Sequence, residues 1–458
     1  MKKYIKTILF TVFSISFLAG CQTELDDFNN NPNNPSNSNP SLLLAAMELS
    51  TFQTHSSGLM RNAGIFTQHL QGTNVGQLGA ISYYVINEGE INNEWNLIYG
   101  TTLMNGHILN RDFANDYPYY NGIGQILTAL NLGYVTDMWG DVPYDNAFLA
   151  GDGSKAPKYN TQEEIYQRLQ TILDQAIINL KKPKNSNEEV PGDDDYIFKG
   201  QTDKWIKVAY VLKARYALRL SEVDASAAQK ALDYINLAGM LSIADDAETY
   251  FLGETNSFNQ WYAFNKQRKN YLKMGKYFVN DLITSNDPRL SFMVGKDDNG
   301  EYSGNAANDD DTVETSYIGP KFANPDSQIG IITYAEAKFI EAEAKFRLGQ
   351  DAKPALQAAV TASVLKITGN AITSDFLETS TSKIDLETIM QQKYIALFLT
   401  MEPYNDYRRT GFPALIPNQN SDTKLIPLRL PTPSDERQYN PNATVVSNVT
   451  TNVWWDKN

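Results

Sequence analysis

The stretch TDMWGDVPY, residues 136–144, places two acidic side chains, Asp137 and Asp141, on either side of Gly140. A glycosidase needs two carboxylates roughly 5–10 Å apart, which makes this pair the best local candidate for catalysis. Gly140 and Pro143 instead indicate a helix that ends in a turn, where aspartates more often cap backbone amides. We therefore expect this stretch to serve the fold.

Helical periodicity dominates on both sides of this stretch. Its clearest instance is 161–180, because Thr161 and Glu164 match a capping box and apolar residues recur along one face. The predicted helices are 41–54, 92–113, 119–138, 161–180, 205–220, 227–238, 333–348, 354–364 and 386–401. Small residues within 333–348 would allow close packing on the next helix, as in tetratricopeptide pairs.

The pattern breaks between about residues 239 and 330 into short, aromatic, Asn- and Asp-rich pieces. Long stretches of this kind are usually functional or disordered, so an irregular insert is predicted here. Prolines interrupt the sequence after about residue 412, which excludes a long regular helix there. The chain is therefore predicted to be dominated by α-helices, with a single domain over residues 41–458.

The first forty residues are typical of an exported, anchored protein. Basic residues precede an apolar run at 8–18, which predicts a signal peptide over residues 1–20. The following Cys21 lies in a Leu-Ala-Gly-Cys sequence that resembles the lipobox of bacterial lipoproteins. We expect Cys21 to be acylated and residues 21–40 to form an Asn/Pro-rich disordered tether. The alternative is an ordinary thiol beside a conventional cleavage site.

Composition excludes several classes of function. With 53 acidic and 39 basic residues the net charge is −14, which disfavours binding to nucleic acid. Cys21 is the only cysteine, so an exported body would be stable without disulfides. The 26 tyrosines, 20 phenylalanines and 6 tryptophans provide rings for the core and for stacking on sugars.

Motifs for cofactor or metal chemistry are missing from the sequence. Its 3 histidines form no HExxH or Cys/His cluster, and no Walker loop, GxGxxG or nucleophile elbow is present. The acidic stretches 193–195, 297–300 and 309–311 lack the EF-hand order, so solvated loops are favoured over calcium sites. We predict no cofactor, and structural calcium stays an unsupported alternative.

TDMWGDVPY also resembles a signature of the SusD/RagB family of surface nutrient-binding lipoproteins. Further segments resemble family motifs in the family's order, although one glycine of the usual GG pair differs. These segments are KYNTQEEIY at 158–166, YIFKG at 196–200, KW at 204–205, KAR at 213–215, NDPR at 286–289, YAEA at 334–337, QQKYIALFLTMEPYNDYRRTGFP at 391–413 and RLPTPSDERQYN at 429–440. The resemblance spans nearly the whole chain.

The resemblance implies a SusD-like fold, in which tetratricopeptide-like helix pairs pack on an irregular, loop-rich half. It further implies a non-catalytic lipoprotein of the outer membrane that faces the cell exterior. Such a protein binds an oligosaccharide and passes it to a SusC-like TonB-dependent transporter. Two alternatives remain, namely binding of peptides or another nutrient by the same architecture, and a surface glycoside hydrolase. The shared motif residues, Asp137, Trp139, Asp141, Arg215 and Arg408, are assigned to the architecture.

Family motifs do not identify the ligand contacts, so these are predicted from aromatic residues with amide or charged neighbours. One segment is GTNVGQLGAISYYVINEGE at 72–90, and the other is NSFNQWYAFNKQRKNY at 256–271. The candidate contacts in the first are Asn74, Gln77, Tyr83 and Tyr84, and those in the second are Asn259, Trp261, Tyr262 and Arg268. We call these segments the first and second predicted loops.

Overall fold

A computed structural model describes residues 39–149, 153, 155–306 and 314–457. The predicted signal peptide, Cys21 and nearly all of the tether lie outside the described residues. The described part is mostly helical, with three two-stranded antiparallel sheets, which confirms the predicted fold class. No helix within it combines the length and apolar character that crossing a membrane requires.

The first half contains nine α-helices and three short strands among the described residues. These are α1 (Pro40–Thr54), α2 (Gly58–Phe66), β1 (Leu70–Gly72), α3 (Leu78–Ser82), α4 (Asn92–Leu97), α5 (Met104–Asp112), α6 (Pro118–Trp139), β2 (Val142–Pro143), β3 (Tyr159–Asn160), α7 (Gln162–Leu180), α8 (Thr202–Arg219) and α9 (Ala227–Ala238). A π-helical segment, Ile98–Leu103, joins α4 to α5, so the predicted helix 92–113 is continuous but irregular. The predicted capping box at Thr161 is present at the start of α7.

The second half begins with the insert and returns to long helices. Its elements are β4 (Ala247–Glu248), α10 (Gln260–Gln267), β5 (Leu272–Met274), α11 (Lys276–Thr284), α12 (Leu290–Met293), β6 (Gly330–Ile332), α13 (Tyr334–Arg347), α14 (Lys353–Thr368), α15 (Ser374–Ser380), α16 (Leu386–Ala396), α17 (Glu402–Thr410) and α18 (Ser434–Tyr439). The predicted helix 386–401 is wrong in its last turn, because Leu399 has a positive φ of 64°. A new helix, α17, begins at Glu402.

The long helices pack pairwise in one array. Helix α6 packs on α7, α7 on α8, α8 on α9, α9 on α13 and α13 on α14. The insert between α9 and α13 therefore leaves the array uninterrupted. Strands β4 and β6 lie at the two ends of the insert and pair with each other, which closes the insert at its base. Strand β5, within the insert, pairs with β1 and attaches the insert to the first half of the chain.

The segment 136–144 ends α6 and contains the centre of a buried hydrogen-bond network. Asp137 is buried and accepts hydrogen bonds from the Tyr166 hydroxyl at 2.5 Å, the Asn405 amide at 3.1 Å and the Trp455 indole at 3.2 Å. Asp141 instead accepts the backbone N–H of Gln162 at 2.9 Å, at the start of α7. Asp141 thus caps a backbone N–H, as expected for an aspartate in this stretch, whereas the Asp137 carboxylate is held by side chains.

Arg408 joins α17 to this centre. Its Nη1 donates to the Asp137 carbonyl at 2.7 Å and to the Leu428 carbonyl at 2.8 Å. The guanidinium lies 4.1 Å from the Tyr404 ring centroid and 4.7 Å from that of Trp455. A planar, permanently charged group is suited to such a place, since it can stack and donate at once. The assignment of Arg408 to the architecture is therefore supported by its contacts.

Glu48 of α1 gives a prediction about pH dependence. The side chain is fully buried, and it accepts the Tyr196 N–H at 2.7 Å. Burial raises the pKa of Glu48 well above its usual range, and the nearby Asp195 carboxylate raises it further. The folded protein thus keeps a proton on Glu48 that the unfolded chain releases at pH ~4.3. The contribution of the protonated Glu48 to the free energy of unfolding is therefore complete below that pH, and it is lost as pH rises through the pKa of Glu48 in the folded protein.

We expect the free energy of unfolding to fall less between pH 5 and pH 9 in Glu48→Gln than in the wild type. Glutamine keeps the acceptor for Tyr196 and cannot ionise. Urea unfolding of both proteins across this range measures the difference. Parallel curves for the two proteins would show that Glu48 does not titrate between the two states.

Candidate glycan-binding site

Strands β1 and β5 bring the two predicted loops together. They pair antiparallel with Leu70 opposite Met274 and Gly72 opposite Leu272. We call this strand pair the ribbon. Beyond its Gly72–Leu272 end, the Thr73 N–H donates to the Tyr271 carbonyl at 3.1 Å. The loops therefore lie side by side, although almost two hundred residues separate them in the sequence.

A glycine makes this approach possible. A Cβ on Gly76 would lie 2.2 Å from the ring of Tyr271, too close for any real side chain at this position. The first loop can therefore lie flat against the second only because position 76 lacks a side chain.

A cavity of about 490 Å³ lies at the opposite end of the ribbon. This volume falls within the range of about 300–1,000 Å³ that is usual for ligand sites. Its lining consists of Gln68, Lys276, Tyr277, Asn280, Asp281, Thr284, Asn305, Ala306, Ile416, Pro417, Asn418 and Gln419. Gln68 precedes β1 and α11 follows β5, so the strand pair places two of the walls.

The segment 416–419 forms the remaining wall and is fixed by the first predicted loop. The Gln68 amide donates to the Ile416 carbonyl at 2.5 Å. The Asn418 N–H donates to the Tyr84 hydroxyl at 2.8 Å, and its side-chain amide donates to the Ser82 carbonyl at 2.8 Å. Burial raises the pKa of Tyr84 to about 12, so the phenol stays protonated at neutral pH.

Helix α11 presents the groups that remain available to a ligand. Tyr277 is half-buried, with its ring at the edge of Tyr394 and its hydroxyl 3.5 Å from Gln391. Burial raises the pKa of Tyr277 to about 12, which keeps it a hydrogen-bond donor. Asn280 is exposed and has no hydrogen-bond partner among the described residues, so both halves of its amide are free.

Asp281 adds a carboxyl group to the same wall. Its Oδ2 accepts a hydrogen bond from the Gln391 amide at 2.8 Å. Burial raises the pKa of Asp281, and the Gln391 hydrogen bond opposes that rise. An aromatic ring, the free Asn280 amide and a carboxyl around one cavity can bind a molecule rich in hydroxyl groups, through contacts with its ring and hydrogen bonds to its edge.

Three of the predicted contacts are in the interior. Trp261 has 0% of its surface exposed, and Tyr84 has 7%. Asn259 is also fully buried, where it caps α10 by accepting the N–H groups of Trp261 at 2.8 Å and Tyr262 at 3.1 Å. The prediction that these three residues contact ligand directly conflicts with their burial, because a bound sugar could not reach them.

The other five predicted contacts lie near the surface, away from the cavity lining. Asn74, Gln77 and Arg268 are exposed, and Tyr83 and Tyr262 are half-buried. The Tyr262 ring stands edge-on to Phe258 at 5.2 Å, and the Arg268 guanidinium lies 5.9 Å from the Tyr271 ring. Arg268 therefore lies near the Gly72–Leu272 end of the strand pair, where Tyr271 faces Gly76.

The residues that form the walls of the cavity were not predicted from the sequence. Tyr277, Asn280, Asp281 and Thr284 recur at helical spacing, which could have identified one polar face of a short helix within the insert. The contact of Gln68 with segment 416–419 bridges 348 residues and carries no local signal.

Metal binding has no evident location in the part of the chain that the structure describes. No group of three or more His, Cys, Asp or Glu side chains there is arranged to hold an ion. Asp297 illustrates why, since its carboxylate accepts the N–H groups of Asn299 at 2.9 Å and Glu301 at 3.0 Å and the Ser303 hydroxyl at 2.7 Å. The stretch 309–311 lies outside the described residues.

Comparison with solved structures finds the same fold. A SusD/RagB family protein from Bacteroides thetaiotaomicron is 24% identical with a TM-score of 0.79, and the match covers 92% of this chain and 99% of that one. A chitin-binding protein is 24% identical with a TM-score of 0.78, covering 92% and 100%. A chitin-binding SusD homologue from Flavobacterium johnsoniae is 21% identical with a TM-score of 0.77, covering 91% and 97%.

One of two sequence comparisons agrees with the structural ones. Comparison with curated proteins gives no match. A model of the SusD-like family, described as "starch-binding associating with outer membrane", matches residues 32–433. Because this match covers most of the length, the chain belongs to the SusD-like family.

Proposed function

We propose that this protein is a non-catalytic lipoprotein of the cell surface that binds an oligosaccharide in the 490 Å³ cavity. It then passes the ligand to a SusC-like TonB-dependent transporter in the outer membrane. Family membership supports this role, because the family description names starch binding and the outer membrane. Two structural relatives are themselves described as chitin-binding, which favours a glycan as the ligand class.

The observation that carries the proposal is the composition of the cavity wall. Tyr277 supplies a ring, Asn280 supplies an unpaired amide, and Ile416 supplies an exposed apolar surface at the rim. Sugars combine apolar ring faces with hydroxyl edges, so a wall of this kind complements both. The remaining predicted contacts lie near the surface outside the cavity, and they would offer further contacts only to a chain long enough to reach them; they are Asn74, Gln77, Tyr83, Tyr262 and Arg268.

The places of the acidic residues support binding without catalysis. The best local pair, Asp137 and Asp141, is committed to the core and to the start of α7. In the cavity wall, Asp281 is the only carboxyl group contributed by the described residues. A glycosidase needs two carboxyl groups across the scissile bond.

Substitutions in α11 test the site. We expect Tyr277→Ala to weaken oligosaccharide binding by about 2 kcal/mol, roughly thirty-fold in Kd, as for a central aromatic contact. Asn280→Ala should cost about 1 kcal/mol, roughly five-fold, because it removes hydrogen bonds from an exposed residue without altering the core. Calorimetric titration with chitin, starch and other plant, algal and host oligosaccharides measures both.

Tyr439→Ala is the matched control, since Tyr439 is 75% exposed and lies outside the cavity lining. It should bind like the wild type. If all three variants bind oligosaccharide as tightly as the wild type, the binding site does not lie in this cavity. Binding of peptides, with no heat from any glycan, would identify the alternative nutrient class.

The membrane anchor is tested separately. We expect Cys21→Ser to abolish labelling with a fatty-acid analogue and to shift the protein out of the membrane fraction, because two or three acyl chains hold an anchored lipoprotein. Cells expressing the wild type and the variant at equal levels provide the comparison. Continued labelling of the variant would contradict acylation at this residue.

A further inference from the structure

A second pocket, of about 340 Å³, lies between α10 and the helices α1, α2 and α4. It has no lining residue in common with the 490 Å³ cavity. Its wall carries carboxamides from three separate segments, Gln53, Asn93 and Gln260. The inner face of α10 thus borders a polar chamber, while Trp261 on another face of the helix is buried in the core.

Arg61 is the central cation of this pocket. Its guanidinium lies 4.3 Å from the centroid of the Phe264 ring, which supports the plane of the charged group. Within the described residues, no hydrogen bond or close ion pair satisfies the guanidinium N–H groups of Arg61. Burial lowers the pKa of Arg61 to about 10, so it remains charged at neutral pH. A stacked guanidinium keeps its donor edge available for a ligand.

Glu94 brings an acid to the same pocket. Its Oε1 lies over Gly58, where a Cβ would come within 1.7 Å, so the glycine makes room for the carboxyl. Burial raises the pKa of Glu94, whereas Arg61 and the Gly58 N–H oppose that rise. Gly58 is the first residue of α2, and Ser57 before it forms no side-chain cap. Glu94 therefore serves the start of α2 and still faces the pocket.

This mixture of groups selects against most classes of ligand. A phosphate or carboxylate would meet the Glu94 carboxyl, and a cation would meet Arg61. An apolar molecule would strip water from the amides without replacing their hydrogen bonds. A neutral molecule with vicinal hydroxyls can accept from Arg61 and donate to Glu94 at once.

We propose that this pocket is a second carbohydrate site, which takes one neutral pyranose ring independently of the larger cavity. The proposal rests on the proposed function, since it assumes that the protein encounters glycans. Two separate sites would hold a long chain at two points or two short chains at once. Multivalent contact of this kind raises avidity for polysaccharide over short oligosaccharides.

Stoichiometry with short ligands tests the second site. Chitotriose and maltotriose are titrated calorimetrically into the purified wild type, the Tyr277→Ala variant and an Asn93→Ala/Gln260→Ala double variant. Both residues of the double variant lie near the surface, so the fold should be unaffected. We expect two equivalents of one trisaccharide per wild-type chain and one equivalent in the double variant. Arg61→Met, which retains packing on Phe264, should weaken the second equivalent by about ten-fold or more.

The outcomes separate the two proposals. One equivalent in the wild type, unchanged in the double variant and in Arg61→Met, would refute the second site and leave the larger cavity as the binding site. If Tyr277→Ala still binds one equivalent, and that equivalent is the one missing from the double variant, the second site is supported directly. Two equivalents that persist in the double variant and in Arg61→Met would place the extra site elsewhere and refute this assignment. Absence of binding to the wild type would refute both proposals for these glycans.

Discussion

Glu343→Ala is expected to lower the free energy of unfolding by about 3–5 kcal/mol, the usual cost of breaking a buried ion pair by removing one partner. Glu343 on α13 is fully buried, and its carboxylate pairs with Arg409 of α17, where one of the two contacts is 2.8 Å. It also accepts from Arg347 at 2.8 Å. Burial acts to raise the pKa of Glu343, but Arg409 holds it below its usual range. Removing the carboxylate would leave Arg409 buried with Asp406 as its remaining anion.

Glu341→Ala is a matched control on the same helix. Glu341 also pairs with two cations, Lys338 at 2.7 Å and Lys345 at 2.6 Å, but those lysines are partly exposed. Its loss should cost no more than about 1 kcal/mol, as for other surface ion pairs. Urea unfolding of both variants gives the comparison. Equal destabilisation would show that the Glu343 contacts are not the link between α13 and α17.

Gly275→Ala is expected to separate β1 from β5 and to abolish glycan binding. A Cβ on Gly275 would lie 1.9 Å from the Gln68 carbonyl oxygen, which is backbone and cannot rotate away. Overpacking of this kind costs about 1–3 kcal/mol and sometimes more. Because Gln68 and α11 both line the cavity, moving the two strands apart displaces two of its walls.

Gly295→Ala serves as the comparison, because a Cβ there would meet its nearest atom at 3.4 Å, an ordinary contact. We expect it to match the wild type in thermal unfolding and in oligosaccharide affinity. Unchanged affinity in a folded Gly275→Ala protein would show that the strand pair does not position the site.

The sequence predicted most of the long helices because their signals are local. The capping box of Thr161 and the apolar stripe of α7 both lie within one stretch of twenty residues. Helix α17 was not predicted as a separate helix, because it follows Leu399, whose positive φ no local pattern indicates. A proline at the start of a helix loses no hydrogen bond, and that is where Pro403 lies.

The candidate site was predicted less well, since aromatic residues in a loop-rich insert are as suited to the core as to a ligand. Trp261 became the apolar anchor of α10, and Asn259 became its cap. The motif residues, in contrast, were assigned correctly to the architecture. Asp137 and Arg408 bind each other's segments in the interior, so the shared motifs specify the fold and leave the ligand to other residues.

Retention of oligosaccharides on the immobilised protein, with mass analysis of what elutes, is the most direct test of glycan binding without catalysis. A mixture of chitin, starch and other plant, algal and host oligosaccharides should give one class that is delayed by the wild type, less delayed by Asn280→Ala, and recovered at its original length. Shortened products would contradict the non-catalytic role. If no class is delayed, the proposal that this protein binds glycans is wrong.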